Sequence, residues 1–224
     1  MKQKYISNIL ITFGLVTFLA SLVDILVILI PLNLSNSEWV YLSIQSISDR
    51  IIVPMLGLVM ILLGLYFNNF KNESVKITIG KSIGIISLVI GFGLIISSLL
   101  YVLVLGSIEN QVMTSVKQKS ENIKKQIAIS YMQQSFAKQG IPLEQGLKNK
   151  KIPMPKEMKG YFEKIDKNLK IELKSTKLSL LKKNLKVIFT QILFIIAFLY
   201  IGISSLKLAK VTSKQLTLNK TEKN

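Results

Sequence analysis

Residues Ile47 to Phe67 read "ISDRIIVPMLGLVMILLGLYF", an acid and a base followed by an almost wholly apolar run. From Ile51 the run contains 17 residues. At about 1.5 Å per residue it is roughly 25 Å long, slightly shorter than the ~30 Å hydrocarbon core of a bilayer. The sequence therefore predicts a transmembrane helix over about 51–67 that spans with the help of its flanking residues.

Three further apolar runs predict three more transmembrane helices, over about 5–31, 82–106 and 187–206. The first run is too long for a secretory signal and lacks the small-residue cleavage site, so we expect it to be retained. Half of the 224 residues are hydrophobic and the mean hydropathy is +0.45, which is unusual for a soluble domain. The predicted fold class is therefore all-α, an integral membrane protein with four transmembrane helices.

A short amphipathic helix is predicted at about 36–49, between the first two spans. Ser35 and Glu38 have the spacing of a capping box at its start. Trp39 and Tyr41 are of the types that anchor a helix at headgroup depth. Apolar residues recur at helical spacing at Val40, Ile44, Ile47 and Ile51. We expect this helix to lie at the bilayer surface.

The composition changes between residues 107 and 186, which hold 18 lysines and 7 acids. Two stretches with helical periodicity flank a turn near 140–155 that is rich in proline and glycine. One stripe contains Ile108, Val112, Val116, Ile123 and Ile127, and the other contains Met158, Phe162, Ile165, Leu169, Thr176 and Leu180. The prediction is an extramembrane antiparallel helical hairpin, packed as a coiled coil, between the third and fourth spans.

The arrangement divides the chain into a membrane region (1–106), the hairpin (107–186), the fourth span (187–206) and a basic tail (207–224). Lysines in the short segments favour cytoplasmic N- and C-termini and a hairpin on the outside, because long loops translocate largely regardless of their charge. We expect a multi-pass protein of the plasma membrane more than of an internal membrane.

The missing residue types exclude much chemistry. No cysteine and no histidine occurs, which excludes disulfides, thiolate chemistry, the usual zinc sites and histidine bases. Of the 29 basic residues only Arg50 is an arginine, which is unlike a nucleic-acid reader. No phosphate loop, metal-ligand cluster or paired carboxylates appear. We expect no enzyme activity, cofactor, metal or nucleic-acid partner, and no catalytic residue is proposed.

Asp24 is the one charged residue well inside a span, so it should face protein and have a partner. The favoured interpretation is a structural link to Arg50; the alternative is a proton or cation site. Pro54 cannot donate a hydrogen bond to the carbonyl of Arg50. Either a second helix starts here with Asp49 near its N-cap, or one helix kinks. In both cases Asp49, Arg50, Pro54, Gly57 and Asp24 form a structural junction, with Arg50 reaching Asp24 or Asp49.

Two surfaces are candidates for contacts. Gly84, Ser87 and Gly91 make a small-residue face on which another helix could pack, although glycine is common in membrane helices in general. The lysines of the hairpin could bind anionic polysaccharide, lipid headgroups or an acidic partner, or simply solvate the helices, as the spacing of Glu163 and Lys167 suggests.

The order of these features resembles a known family. A span is followed by a surface segment with "EWVYLSIQSISDR", then by "DRIIVPMLG", a third span, a long helical hairpin and a fourth span ending in "YIGISSLK". This layout is similar to the HpsJ-like proteins of cyanobacteria, small membrane proteins tied to hormogonium polysaccharide production. The resemblance implies an accessory role in exopolysaccharide assembly or export, without catalytic residues.

Two functional hypotheses follow. The first is a non-enzymatic accessory or scaffold protein whose hairpin docks other membrane proteins; homo-oligomerisation stays open. The second is a membrane sensor with the hairpin as a ligand-binding bundle, which would require two hairpins to associate. A channel or transporter is disfavoured, because Asp24 is the only charge in mid-membrane.

Overall fold

The computed structural model describes residues 2–67, 73–138 and 156–221, and within them every element is an α-helix. The five helices are α1 (Lys2–Leu29), α2 (Ser37–Arg50), α3 (Ile52–Phe67), α4 (Glu73–Lys138) and α5 (Lys156–Thr221). The prediction of an all-α chain is confirmed for this part of the protein. The predicted turn of the hairpin, near 140–155, lies outside the described residues.

Four helical stretches are long and apolar enough to cross a membrane. They are Tyr5–Leu29, Ser37–Phe67, Ser74–Gln134 and Lys159–Ser213. Many of their large apolar side chains point outward, among them Phe13, Val89 and Phe189. Outward-facing apolar surface of this extent suits contact with lipid. The structure is therefore compatible with a multi-pass membrane protein with four spans.

The chain divides into two compact units. The first consists of Met1–Leu105 and Asn184–Asn224, and the second of Gly106–Lys183. The buried cluster of the first unit draws residues from α1, α3, α4 and α5, together with Ile51 between α2 and α3. Its members are Phe18, Ile51, Leu58, Ile61, Leu65, Ile83, Leu94, Phe198 and Ile201.

Glycines set the packing of α1 against α3 in the first unit. A Cβ atom built on Gly57 would lie 2.8 Å from the carbonyl oxygen of Gly14 and 2.8 Å from the backbone nitrogen of Phe18. One built on Gly14 would lie 2.7 Å from the carbonyl oxygen of Gly57. Two turns along, Ser7 Oγ donates a 2.6 Å hydrogen bond to the carbonyl of Gly64. The two backbones approach as closely as they do because neither helix has a side chain at the crossing.

The pair α4 and α5 uses the same device. A Cβ atom on Gly84 would meet Leu206 Cγ at 2.6 Å and the carbonyl oxygen of Gly202 at 3.1 Å. Ser205 Oγ donates to the carbonyl of Gly80 at 2.7 Å. Residue numbers rise along α4 as those of their partners fall along α5, so the two helices are antiparallel in this unit.

The second unit pairs the remaining parts of α4 and α5, again antiparallel. Lys124 pairs with Asp166, and Lys177 pairs with Glu109 at 3.0 Å. Among its described side chains only Ile108 and Ser120 are buried. An open groove of about 340 Å³ lies between the helices, lined by Lys119, Ser120, Ile123, Ile165, Asn168, Leu169 and Glu172. This unit thus has a thin apolar seam rather than a core.

The glycine crossing gives a test. Replacing Gly57 by Ala should lower the free energy of unfolding by about 1–3 kcal/mol, because the new methyl group meets backbone atoms that cannot move aside independently. The matched control is Gly93→Ala, where the added Cβ has no neighbour within 4 Å. Thermal unfolding of both variants in detergent micelles measures the difference. Equal stability of the two would show that α1 and α3 are not held at this distance.

Candidate functional site

The backbone stays helical from α2 into α3. Asn36 caps α2, since its side-chain oxygen accepts from the backbone nitrogens of Glu38 and Trp39 at 2.9 and 3.2 Å. The cap is therefore Asn36, not Ser35 as the capping-box spelling predicted. At the other end, Ile51 has helical dihedral angles and its N–H donates to the carbonyl of Ile47 at 2.9 Å. No loop separates the two helices.

Pro54 lies in the first turn of α3, which begins at Ile52. This is a position where a helix tolerates proline, because the first backbone N–H groups of a helix have no partner within it. Of the two sequence-based alternatives, the one with a single helix agrees better with the helical backbone at Ile51. Asp49 belongs to the last turn of α2 and does not cap α3.

Asp49 pairs with Lys186 of α5, with Oδ1 and Nζ 3.2 Å apart. Within the described residues, Arg50 forms no ion pair with Asp24 or Asp49, and the predicted link between them stays a prediction. Adjacent residues on a helix point about 100° apart, which separates Arg50 from Asp49. Asp24 is exposed. Asp49 is thus paired with a residue of α5 and not with a residue of α1.

A buried amide lies one turn of α5 beyond this pair. Gln191 is only 1% exposed. Its Nε2 donates to Ser48 Oγ at 3.1 Å and to Ser97 Oγ at 3.4 Å, and its Oε1 accepts from Ser98 Oγ at 2.7 Å. Ser48 uses its own hydroxyl proton within α2, donating to the carbonyl of Ile44. Helices α2, α4 and α5 therefore meet at one side chain.

A second polar contact joins the same three helices. The hydroxyls of Tyr41 and Tyr101 both donate to Asn184 Oδ1, at 3.0 and 2.9 Å. The two rings stack with centroids 5.3 Å apart and an interplanar angle of 11°. Asn184 thus accepts two hydrogen bonds on one atom, which fixes α2 and α4 against α5.

We call the set Tyr41, Ser48, Asp49, Ser97, Ser98, Tyr101, Asn184, Lys186 and Gln191 the polar junction. It lies entirely in the first unit. Hydrogen bonds of this type between membrane helices contribute on average about 0.6 kcal/mol each. The described side chains contain no group of three or more acids that could hold a metal ion. What the arrangement provides is a fixed orientation of α2 on α4 and α5.

The other residues that the sequence singled out as candidate site residues also lie in the first unit. Tyr41, predicted as an interface anchor, is 5% exposed and packs on Tyr101. Trp39 lines an apolar groove of about 230 Å³ with Leu29, Leu34, Val40, Ser43, Ile44, Ile47, Gly93, Ile96, Ser97 and Leu100. Gly57 lies at the crossing with α1.

Gly84, Ser87 and Gly91 are all buried. Gly84 approaches Leu206 and Gly91 approaches Leu199, both on α5. The Oγ atom of Ser87 is buried and has no hydrogen-bond partner. The face therefore makes close contacts through its glycines, whereas its serine contributes none of the hydrogen bonds between helices.

The chain matches the model of the family described as HpsJ-like protein over residues 6–207. The chain belongs to the HpsJ-like family. This confirms the resemblance, and the matched range includes every residue of the polar junction. No curated protein and no solved structure matches the chain significantly.

Sequence reasoning missed Gln191, Asn184, Tyr101 and the serines of the polar junction. A signal for one of them was available in this HpsJ-like sequence. Gln191 is the one amide within the apolar run 187–206, and a polar side chain there should find a partner on another helix. Asn184 and Tyr101 carried no such signal, because they are near the ends of apolar runs, where polar residues are common.

A double-mutant cycle tests the Gln191 contact. The variants Gln191→Leu and Ser48→Ala, alone and combined, should show a coupling free energy of about 0.6 kcal/mol, as expected of a hydrogen bond between membrane helices. A control cycle pairs Gln191→Leu with Ser115→Ala, whose hydroxyl bonds only to Val112 of its own helix. Additive effects in both cycles would show that Gln191 and Ser48 do not interact. Unfolding in mixed detergent micelles supplies the four free energies.

Two serines on facing helices give a matched pair. Ser205→Ala removes the donor to Gly80 and should destabilise the protein by about 0.5–1.5 kcal/mol. Ser87→Ala removes a buried hydroxyl that has no partner and should leave stability unchanged or raise it. Thermal unfolding distinguishes them. A larger loss for Ser87→Ala than for Ser205→Ala would contradict the assignment.

Proposed function

We propose that this HpsJ-like protein is a non-enzymatic accessory or scaffold protein of a membrane system that assembles or exports an exopolysaccharide. The family name suggests a role in hormogonium polysaccharide biosynthesis. The second unit, as a helical hairpin, is the part of the protein that docks the glycosyltransferase or secretion machinery.

The observation that carries the proposal is the contrast between the two units. The first unit has a connected apolar cluster and the polar junction, so its helices have partners within the chain. The second unit has two buried residues among its described side chains and an open groove along its helix pair. A thin helix pair of this kind gains stability by packing on something else.

The chemistry available to the chain supports a role without catalysis. It has no histidine and no cysteine, and its charge is almost entirely lysine and carboxylate. The ion pairs of the second unit, Lys124 with Asp166 and Lys177 with Glu109, are at the surface, where such pairs contribute little to stability. Exposed lysines of this kind are suited to binding rather than to turnover.

Deleting residues 107–183 tests the proposal, because it removes the second unit and leaves the polar junction intact. We expect the shortened protein to insert into the membrane, to lose the membrane proteins that co-purify with the full chain, and to reduce secreted polysaccharide. The measurements are affinity purification from native membranes and chemical assay of extracellular sugar.

The control is Gln191→Leu, which perturbs the first unit and keeps the second. It should retain the partners if it remains in the membrane. If the shortened protein retained every partner and a normal polysaccharide yield, the second unit would not be the docking element. Turnover of a sugar nucleotide by the purified protein would contradict the non-enzymatic role.

A further inference from the structure

Helix α5 has an apolar stripe in the second unit that nothing in the described chain covers. Ile171, Leu178 and Leu181 are 60%, 51% and 54% exposed. Their spacing of seven and three residues places them on one side of the helix, as a and d positions of a heptad repeat. Aliphatic side chains in this register are typical of a helix that packs on another helix.

The stripe is on the side of α5 that faces away from α4. Ile165 and Leu169 face the groove between the helices, and Asp166 pairs with Lys124 of α4. These positions are more than a quarter turn from Ile171 and Leu178 at 100° per residue. The contact between α4 and α5 therefore does not use the stripe.

The charges around the stripe are predominantly positive. Lys167 and Lys174 lie on the same line as the three aliphatic residues, and Lys164, Lys170 and Lys182 border it. All five are exposed. The acids Asp166 and Glu172 are on the other side, at the ion pair and the groove. Glu163 lies at the N-terminal end of the face, four residues before Lys167. A face with aliphatic residues, five lysines and one terminal acid complements a helix with aliphatic residues and acids.

We propose that this face of α5, from Lys164 to Lys182, binds an acidic amphipathic helix of a partner protein. The proposal rests on the docking role proposed above and specifies its partner. A second copy inserted the same way round would pack the face in parallel and bring Lys174 against its own counterpart, which is repulsive. An anionic polysaccharide would pair with the lysines but leave the aliphatic side chains uncovered.

The first experiment uses the full chain in phosphatidylcholine nanodiscs. The probe is a fluorescent synthetic helix of about four heptads with Leu at a and d and Glu at e and g. We expect binding by anisotropy, weakened by salt. The double variant Lys167→Glu with Lys174→Glu should weaken it about tenfold or more, and so should Leu178→Ser with Leu181→Ser.

The matched control is Lys117→Glu with Lys125→Glu, the same change of charge at exposed positions of α4. It should weaken binding by less than about threefold, through long-range charge alone. Equal losses in the two lysine pairs would overturn the proposal, as would equal binding of a probe with Lys in place of Glu. Both serine and glutamate changes are at exposed sites, and circular dichroism verifies that the helices persist.

The second experiment places a photoreactive residue at Leu178 or at Ile129, which are both 51% exposed but belong to α5 and α4. In native membranes, crosslinks from position 178 should carry an acidic helical segment of another protein, identified by mass spectrometry. Crosslinks mainly to a second copy, mainly to lipid, or equally from both positions would overturn the proposal.

The two proposals fail in different ways. If deletion of 107–183 releases partners that position 178 never crosslinks, the docking role survives and this face is not the one used. If deletion releases no partner, the docking role itself fails, whatever the synthetic helix shows.

Discussion

The close approach of helix backbones at glycine is the constraint on which the rest of the first unit depends. Helices in lipid gain little from burying apolar side chains against each other, since lipid tails are as apolar as leucine. They associate through close packing and through polar contacts. Gly14 and Gly57 provide the close packing for α1 and α3, and Gly84 and Gly202 provide it for α4 and α5. Once the backbones are that near, serine hydroxyls reach the carbonyls of Gly64 and Gly80 across the contact.

The polar junction uses the same logic for a third element. Helix α2 is half polar and cannot be held by apolar packing alone. Its Tyr41 and Ser48 reach Asn184 and Gln191 of α5, which also bind α4. The exposed pair of Asp49 with Lys186 adds charge complementarity at the rim, where its energetic value is small. The orientation of α2 against α4 and α5 therefore depends mainly on neutral hydrogen bonds.

The sequence predicted what depends on local pattern. The apolar runs identified the four helical stretches that are long and apolar enough to cross a membrane, and the amphipathic pattern identified α2. The choice between Ser35 and Asn36 as cap could not be made, because both types cap well and only the backbone decides. The partner of Asp49 could not be predicted either, since Lys186 is 137 residues away. Helix geometry already disfavours a contact of Arg50 with Asp49, because neighbours on a helix do not face each other.

In the polar junction, too, the local sequence pattern predicted only part of the arrangement. Gln191 was visible in principle as the amide in an apolar run, but its partners depend on which faces of α2 and α4 meet α5. Contacts of that kind come from the packed arrangement of three helices and not from the spacing within any one. The exposed stripe of α5 was read from the sequence only as part of a lysine-rich surface. The structure shows in addition that Asp166 and Glu172 lie on the side of α5 that faces α4, away from the stripe.

The antiparallel pair of α4 and α5 has a mechanical consequence within the first unit. Its register is determined twice, by the contact of Gly84 with Gly202 and by the hydrogen bond of Ser98 with Gln191. A slip of one turn, about 5.4 Å, would drive side chains into the glycine contact and break the amide contacts together. Smaller shifts would also bring side chains to the contact of Gly84 with Gly202, where there is no room for them. Axial sliding of α5 against α4 would therefore have to break the glycine contact and the amide contact together.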